Sequence, residues 1–105
     1  MWSKPLLSAC LAIAAAATPA AAATVRITVT KLTFEPAQVS AHVGDTIEWV
    51  NADFLAHSAT DRKKRWDLFI APNKTAQVTL KQPGEIDYFC RFHPNMVGHI
   101  SVVAP

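Results

Sequence analysis

The stretch Thr24-Val25-Arg26-Ile27-Thr28-Val29-Thr30 alternates polar and apolar side chains. This period of two is typical of a strand with one buried face. Outward from it, Pro and Gly mark turns between further short stretches that favour strands: Gln38–Val43, Thr46–Val50, Trp66–Ile70, Thr75–Leu80, Glu85–Cys90 and His99–Val103. No stretch has the helical period of 3.6. The sequence therefore predicts an all-β fold, a small antiparallel sandwich of seven to eight strands.

Residues 1–23 have the composition of an export signal. Met1-Trp2-Ser3-Lys4 is a short cationic start, Pro5–Ala17 is apolar, and Ala21-Ala22-Ala23 is a cleavage signal of small residues. We expect residues 24–105 to form a single exported domain in the periplasm, without a membrane span. The alternative is a lipoprotein anchored through Cys10, but only about five apolar residues precede Cys10, fewer than such signals usually have.

The formal net charge of the chain is only +2, so it does not indicate binding to nucleic acid or to a strongly charged partner. The densest charge is the run Arg62-Lys63-Lys64-Arg65. Four adjacent charges cannot share one face of a strand, so we expect a loop or an edge there. This run is either a solvated loop or a docking surface for an acidic redox partner.

The chemical signal is Cys90-Arg91-Phe92-His93-Pro94-Asn95-Met96, a C-x-x-H-x-x-M motif. After export, Cys90 is the only cysteine and Met96 the only methionine. An unpaired thiol in an oxidising compartment is open to oxidation or to pairing with another molecule, and metal ligation would explain why it is kept. Three donors within seven residues converge only if the chain turns sharply, for which Pro94 and Gly98 are suited.

A fourth donor, His57, lies in a distant inter-strand segment. Two imidazoles, a thiolate and a thioether match the His₂Cys copper site with a weak axial Met. Zinc in a Cys-His-His site would need no Met96. A hydrolytic Cys90–His93 pair is disfavoured because no oxyanion-hole motif accompanies it. We interpret His42 and His99 as non-ligands.

Four segments resemble the cupredoxins, the type 1 blue copper proteins, and most of all the amicyanin and pseudoazurin type: Phe34-Glu35-Pro36-Ala37, Gly44–Asn51, Ala56–Thr60 and Asp87–Met96. The resemblance covers nearly all of residues 24–105. It implies a Greek-key sandwich with one copper ion at one end, held by His57, Cys90, His93 and Met96.

The resemblance also implies that His93 is the electron portal, ringed by an apolar docking patch, and that a proton can displace it from reduced copper. Two positions depart from the family pattern. Phe92 stands where amicyanin-like loops often have Pro, and we expect its N–H to bond to the Cys90 sulfur and raise the reduction potential. Ser58 replaces a common Asn, and whether it ties the ligand loops together is left open.

These observations predict a protein that carries single electrons between unidentified redox partners, rather than an enzyme. We expect it to be a monomer that binds one copper ion. The alternative is a copper storage or delivery protein, although such sites tend to be open and rich in Met or His, whereas this motif offers one compact set of four donors.

Overall fold

The computed structural model describes residues 21–105, which form nine strands in two facing sheets. The strands are β1 (Thr24–Thr30), β2 (Thr33–Glu35), β3 (Gln38–His42), β4 (Thr46–Asn51), β5 (His57–Asp61), β6 (Asp67–Ile70), β7 (Thr75–Thr79), β8 (Gly84–Cys90) and β9 (His93–Val103). One sheet has the order β2-β1-β4-β7 and the other β3-β9-β8-β5-β6. The predicted all-β sandwich is confirmed.

Two details of the sandwich differ from the prediction. The described residues contain nine strands rather than seven or eight, and both sheets are mixed, because β1 pairs with β4 and β3 pairs with β9 in parallel. Parallel neighbours need a crossover connection, and the chain provides it by passing repeatedly between the two sheets. The alternation of polar and apolar residues indicates which face of a strand is buried, but it does not indicate whether the neighbouring strand is parallel or antiparallel.

The strands that the sequence pattern did not predict are β2 and β5. β2 has only three residues, too few to show a period. β5 reads His57-Ser58-Ala59-Thr60-Asp61 and is buried along its whole length, so it has no alternation between exposed and buried residues. Its polar side chains bond to one another and to neighbouring groups, as in the contact of 2.9 Å between the hydroxyls of Ser58 and Thr60.

Aromatic rings fill the centre of the core, where Trp49 is fully buried. Its ring centroid lies 5.4 Å from that of Tyr88 and 5.3 Å from that of Trp66, which is half-buried. Burial raises the pKa of Tyr88 to about 12. Within residues 21–105 the hydroxyl of Tyr88 has no hydrogen-bond partner. Its ring is packed so closely against Gly98 that a Cβ at this glycine would lie 2.2 Å from Cζ of Tyr88.

Ala23, which precedes β1, is bonded to the segment that begins β4. The amide of Ala23 donates to Oδ1 of Asp45 at 2.8 Å, and its carbonyl accepts from the amide of Thr46 at 2.9 Å. A cut after Ala23 would remove both bonds. Residues 1–20 and Cys10 lie outside the described residues, so the export signal stays a prediction. No helix long and apolar enough to cross a membrane occurs among residues 21–105.

The run Arg62–Arg65 forms the turn between β5 and β6, as the charge argument predicted. Asp61 organises this turn, because its buried carboxylate accepts from the amides of Lys63 and Arg65 and from the guanidinium of Arg65. Burial acts to raise the pKa of Asp61, but these bonds outweigh it and hold the pKa below its usual value. The turn lies at the end of β5 opposite His57, about 13 Å along the strand.

Candidate metal centre

Cys90 and His93 face each other across the end of the β8–β9 hairpin. They are paired directly, with Arg91 and Phe92 as the two turn residues between them. The next pair is Phe89 with Val97, so Pro94–Met96 form an insertion that bulges from β9. The sharp reversal therefore lies before Pro94, and β9 begins at His93 rather than at His99. The bulge bends the strand so that residues three apart can face the same site.

His57 reaches this hairpin because it begins β5, the strand that lies next to β8 in the sheet. Its Nδ1 lies 3.7 Å from Sγ of Cys90, and Nδ1 of His93 lies at the same distance from that sulfur. The donor atoms of the three residues all lie within 4.8 Å of one another. The structure thus brings together a distant imidazole and the local motif, which the spacing of residues could not establish.

These distances fit a shared metal ion. Donors held about 2.0 to 2.3 Å from one ion in a trigonal arrangement lie roughly 3.5 to 3.8 Å apart. Met96 is 3% exposed and belongs to the same buried cluster as Cys90. Two imidazoles, a thiol and a thioether form the soft donor set that favours copper over harder cations. His57 and Cys90 are fully buried, so His93 is the one predicted ligand with substantial exposed surface.

The sulfur of Cys90 accepts a backbone hydrogen bond, but not the predicted one. Within residues 21–105 the donor is the amide of Ser58, at 3.4 Å, and the amide of Phe92 does not bond to this sulfur. Phe92 occupies the second position of a two-residue turn, while β5 lies beside Cys90 and presents its own amides to β8. The hypothesis that Phe92 donates to the sulfur is therefore wrong for this structure.

The question left open for Ser58 is answered by its hydroxyl. The amide of Arg91 donates to Oγ of Ser58 at 2.8 Å. Arg91 follows the predicted ligand Cys90 and Ser58 follows the predicted ligand His57, so this bond joins the two ligand segments. The short side chain suffices because β5 and β8 are adjacent strands. Ser58 therefore holds the two ligand segments together, with its amide on the sulfur and its hydroxyl on the turn.

Asp53 and Asn51 support His57, and neither was predicted as a site residue. Oδ2 of Asp53 lies 2.8 Å from Nε2 of His57. Asn51 is buried and bonds to the amide of Asp53 and to the carbonyls of Leu55 and Ile70, which fixes the loop before β5. A carboxylate four residues before a candidate ligand is the only available sequence signal, and it is weak.

Burial acts to raise the pKa of Asp53. Hydrogen bonds from the amide of Lys31, from the His57 ring and from the amide of Leu32 outweigh this effect and lower the pKa below its usual value. Asp53 is therefore an anion beside a fully buried imidazole. His42 and His99 lie elsewhere, paired with Asp45 and with the carboxylates of Glu85 and Asp87. Their placement agrees with their interpretation as non-ligands.

Exposed apolar side chains surround this end of the sandwich. Phe54 is 97% exposed and, with the exposed Leu55, lies in the loop that leads into His57. Phe92 precedes His93, and its ring centroid lies 6.2 Å from that of the exposed Phe69, whose residue pairs with Ser58. We call Phe54, Leu55, Phe69 and Phe92 the apolar rim. Exposed aromatic groups concentrated around one site are typical of a contact surface for another molecule.

Known proteins share this fold and sequence pattern. The family model of the cupredoxin-like domain matches residues 5–102. Amicyanin from Paracoccus versutus is 31% identical over 96 residues, covering 86% of this chain and 71% of that protein. Amicyanin-alpha from Methylorubrum extorquens is 29% identical, covering 90% of this chain and 88% of its own.

Solved structures give the same result for the fold. An oxidised amicyanin variant superposes with a TM-score of 0.70 at 23% identity, over 76% of this chain and 82% of that one. A copper-containing nitrite reductase from Thermus scotoductus matches with a TM-score of 0.69 at 26% identity, but this chain spans only 23% of its length. On the family match and the amicyanin relatives together, the chain belongs to the cupredoxin family.

Proposed function

We propose that this chain is a type 1 copper protein that carries single electrons between partner proteins, with His57, Cys90, His93 and Met96 as its copper ligands. The observation that carries the proposal is the convergence of Nδ1 of His57 and Nδ1 of His93 on Sγ of Cys90, at 3.7 Å each. Copper bound there would supply a one-electron Cu(II)/Cu(I) couple. Cupredoxin family membership supports the choice of copper.

The residues around the donors support electron transfer because they hold the donor atoms still. The amide of Ser58 bonds to the sulfur, its hydroxyl bonds to the ligand turn, and Asp53 bonds to the His57 ring. A set of donors that does not rearrange favours a rapid change of oxidation state. The four donors leave no position for a substrate, so we infer a carrier and not an enzyme.

Electrons are proposed to enter and leave at His93, since the other three ligands are buried. The apolar rim places exposed rings around it, and we assign the docking of redox partners to this surface. The Arg62–Arg65 turn lies at the opposite end of β5 from His57 and is not part of the apolar rim. The positive charges of this turn would attract an acidic partner over distance, and the association rate would then fall as the salt concentration rises.

We further propose that the protein works in the periplasm. The support is the signal-like composition of residues 1–23 and the presence of one unpaired cysteine, Cys90, in the described domain. An ion held by the thiolate would protect this residue from oxidation. The intact mass of the protein purified from periplasmic extracts would test this proposal, and retention of residues 1–20 there would contradict it.

The copper proposal is tested by adding Cu(II) to the purified domain and recording the visible spectrum. We expect an intense absorption band from charge transfer between thiolate and copper, at one copper per chain, and its loss in Cys90→Ala. A colourless wild-type protein would contradict the proposal. Repeated one-electron reduction and oxidation should release no copper to a chelator, whereas release in each cycle would indicate a delivery protein.

A further inference from the structure

The carboxylate of Asp53 lies on the side of the His57 ring away from the other donors. Its Oδ2 is 2.8 Å from Nε2, while Nδ1 of the same ring is 3.7 Å from Sγ of Cys90. The His57 ring is fully buried, so water does not compete for either nitrogen. An anionic oxygen at this distance can only accept a hydrogen bond. In the neutral ring Nε2 therefore carries the proton, and Nδ1 keeps its lone pair toward Cys90.

The carboxylate is itself fixed by backbone groups from a different part of the fold. The amide of Lys31 donates to Oδ1 at 2.9 Å, and the amide of Leu32 approaches Oδ2 at 3.5 Å. Lys31 and Leu32 form the turn between β1 and β2, with φ angles of 51° and 59°. Two successive residues in the left-handed region direct their amides to the same side, which creates a small anion-binding concavity.

The backbone of Asp53 is also held, since its amide donates to Oδ1 of Asn51 at 2.9 Å. Asn51 is buried and anchored to carbonyls of the following loop. The carboxylate is thus held at its oxygens and at its main chain. It cannot rotate away from His57 without breaking contacts with β1–β2, so the orientation of the imidazole is coupled to a turn in the other sheet.

We propose that Asp53 is the positioning residue of His57, which selects its Nε2–H tautomer and, by its negative charge, stabilises the oxidised state of the bound metal. A carboxylate that accepts from a metal-binding imidazole makes the other nitrogen a stronger donor. The effect of Asp53 on the metal rests on the proposed copper function. The selection of the tautomer does not, because it concerns groups that the metal-free protein already contains.

A purely structural role is the competing explanation, in which Asp53 only fastens the β1–β2 turn. Asp53→Asn distinguishes the two. The asparagine keeps one oxygen that can accept from the Lys31 amide, and its NH₂ group then faces Nε2 of His57 as a donor. Asp53→Glu keeps the charge. Asp67→Asn is the matched control, because Asp67 bonds to Arg91 in the ligand turn but to none of the ligand side chains.

The first measurement uses ¹⁵N NMR of the metal-free proteins at about pH 8, where an ordinary histidine is neutral. We expect His57 to show the Nε2–H tautomer in the wild type and in Asp67→Asn, and a majority of the Nδ1–H tautomer in Asp53→Asn. The second measurement is the reduction potential of the copper-loaded proteins. It should rise in Asp53→Asn by more than in Asp67→Asn and stay near the wild-type value in Asp53→Glu.

The proposal is overturned if Asp53→Asn retains the Nε2–H tautomer, or if its potential shifts no further than that of the control. A loss of stability alone, with neither readout changed, would show that the role is structural and would equally overturn it. If the wild type fails to bind copper, the copper function fails. The tautomer measurement still decides the positioning role in that case.

Discussion

The hydroxyl of Ser58 accepts a hydrogen bond from the amide of Arg91 at 2.8 Å, while the amide of Ser58 donates to the sulfur of Cys90 at 3.4 Å. One residue of β5 thus contacts both the ligand strand and the ligand turn. Because the side chain is fully buried, water cannot replace the bond that the hydroxyl makes.

We therefore expect Ser58→Ala to lower the free energy of unfolding of the metal-free protein by about 1 to 3 kcal/mol, since the amide of Arg91 loses its partner. Urea denaturation measures this change. Ser40→Ala, at an exposed position of β3, is the control and should change stability by less than about 0.5 kcal/mol. Equal effects of the two substitutions would show that the hydroxyl does not hold the ligand segments together.

Gly98→Ala should destabilise the fold through overpacking. The added Cβ would lie 2.2 Å from Cζ of Tyr88, whose buried ring belongs to the central aromatic cluster. We expect a loss of about 1 to 3 kcal/mol, or more if the ring cannot shift. Val97→Ala, at the neighbouring exposed position, should cost far less. Thermal or urea unfolding that ranks Val97→Ala as the worse variant would contradict this packing.

Asp61→Asn should also destabilise the protein, because the buried carboxylate accepts from two backbone amides and the guanidinium of Arg65. The asparagine side chain carries no negative charge, and its NH₂ group would face N–H groups that need an acceptor. We expect the free energy of unfolding to fall by about 2 to 3 kcal/mol. The ion pair with Arg65 contributes only part of this loss, because Arg65 is partly exposed and solvent screens its charge. Asp67→Asn removes the charge of an exposed pair instead, and in urea unfolding it should cost less than about 1 kcal/mol.

The stability of the protein should depend on pH through His99. Its ring lies between two carboxylates, 2.7 Å from Asp87 and 2.5 Å from Glu85, and these hydrogen bonds raise its pKa above the usual 6.5. Protonated His99 therefore stabilises the fold fully below about pH 6.5, the unfolded value, and this contribution is lost as the pH rises through the raised folded value.

The measurement compares urea midpoints of wild type and His99→Gln between about pH 5.5 and pH 9. Comparing two proteins at each pH cancels the other titrating groups that they share. We expect the variant to be less stable at the acidic end and the difference to shrink toward the alkaline end. A difference that grows with pH would have the wrong sign for this explanation.

Docking at the apolar rim can be measured without a known partner, since oxidised and reduced copies exchange electrons with each other. Phe54→Glu adds a charge to the rim at a residue with almost no internal contacts. Two copies that meet there would then repel, and we expect electron self-exchange, measured by NMR line broadening, to slow about tenfold or more. Val103→Glu makes the same change at the opposite end of β9 and should leave the rate within about twofold. Equal slowing by both variants would contradict docking at the rim.

Local chemistry explains which features could be predicted from the sequence. The alternation in β1 reported one buried face, and the spacing of Cys90, His93 and Met96 reported three donors on one short segment. The same reasoning missed β5, because a strand buried on both faces has no alternation, and its polar residues resembled a loop. It also placed the sulfur hydrogen bond within the ligand segment, at Phe92, whereas the donor comes from an adjacent strand.

The sequence by itself determined that the chain forms a β-sandwich and that a soft donor set lies near its C-terminus. Tertiary structure alone decided that His57 meets Cys90, that Ser58 joins their two strands and that Asp53 orients the imidazole. The physical reason is range. Periodicity and ligand spacing describe short stretches of sequence, while the pairing of β5 with β8 joins residues almost thirty positions apart, through hydrogen bonds and burial that no local pattern contains.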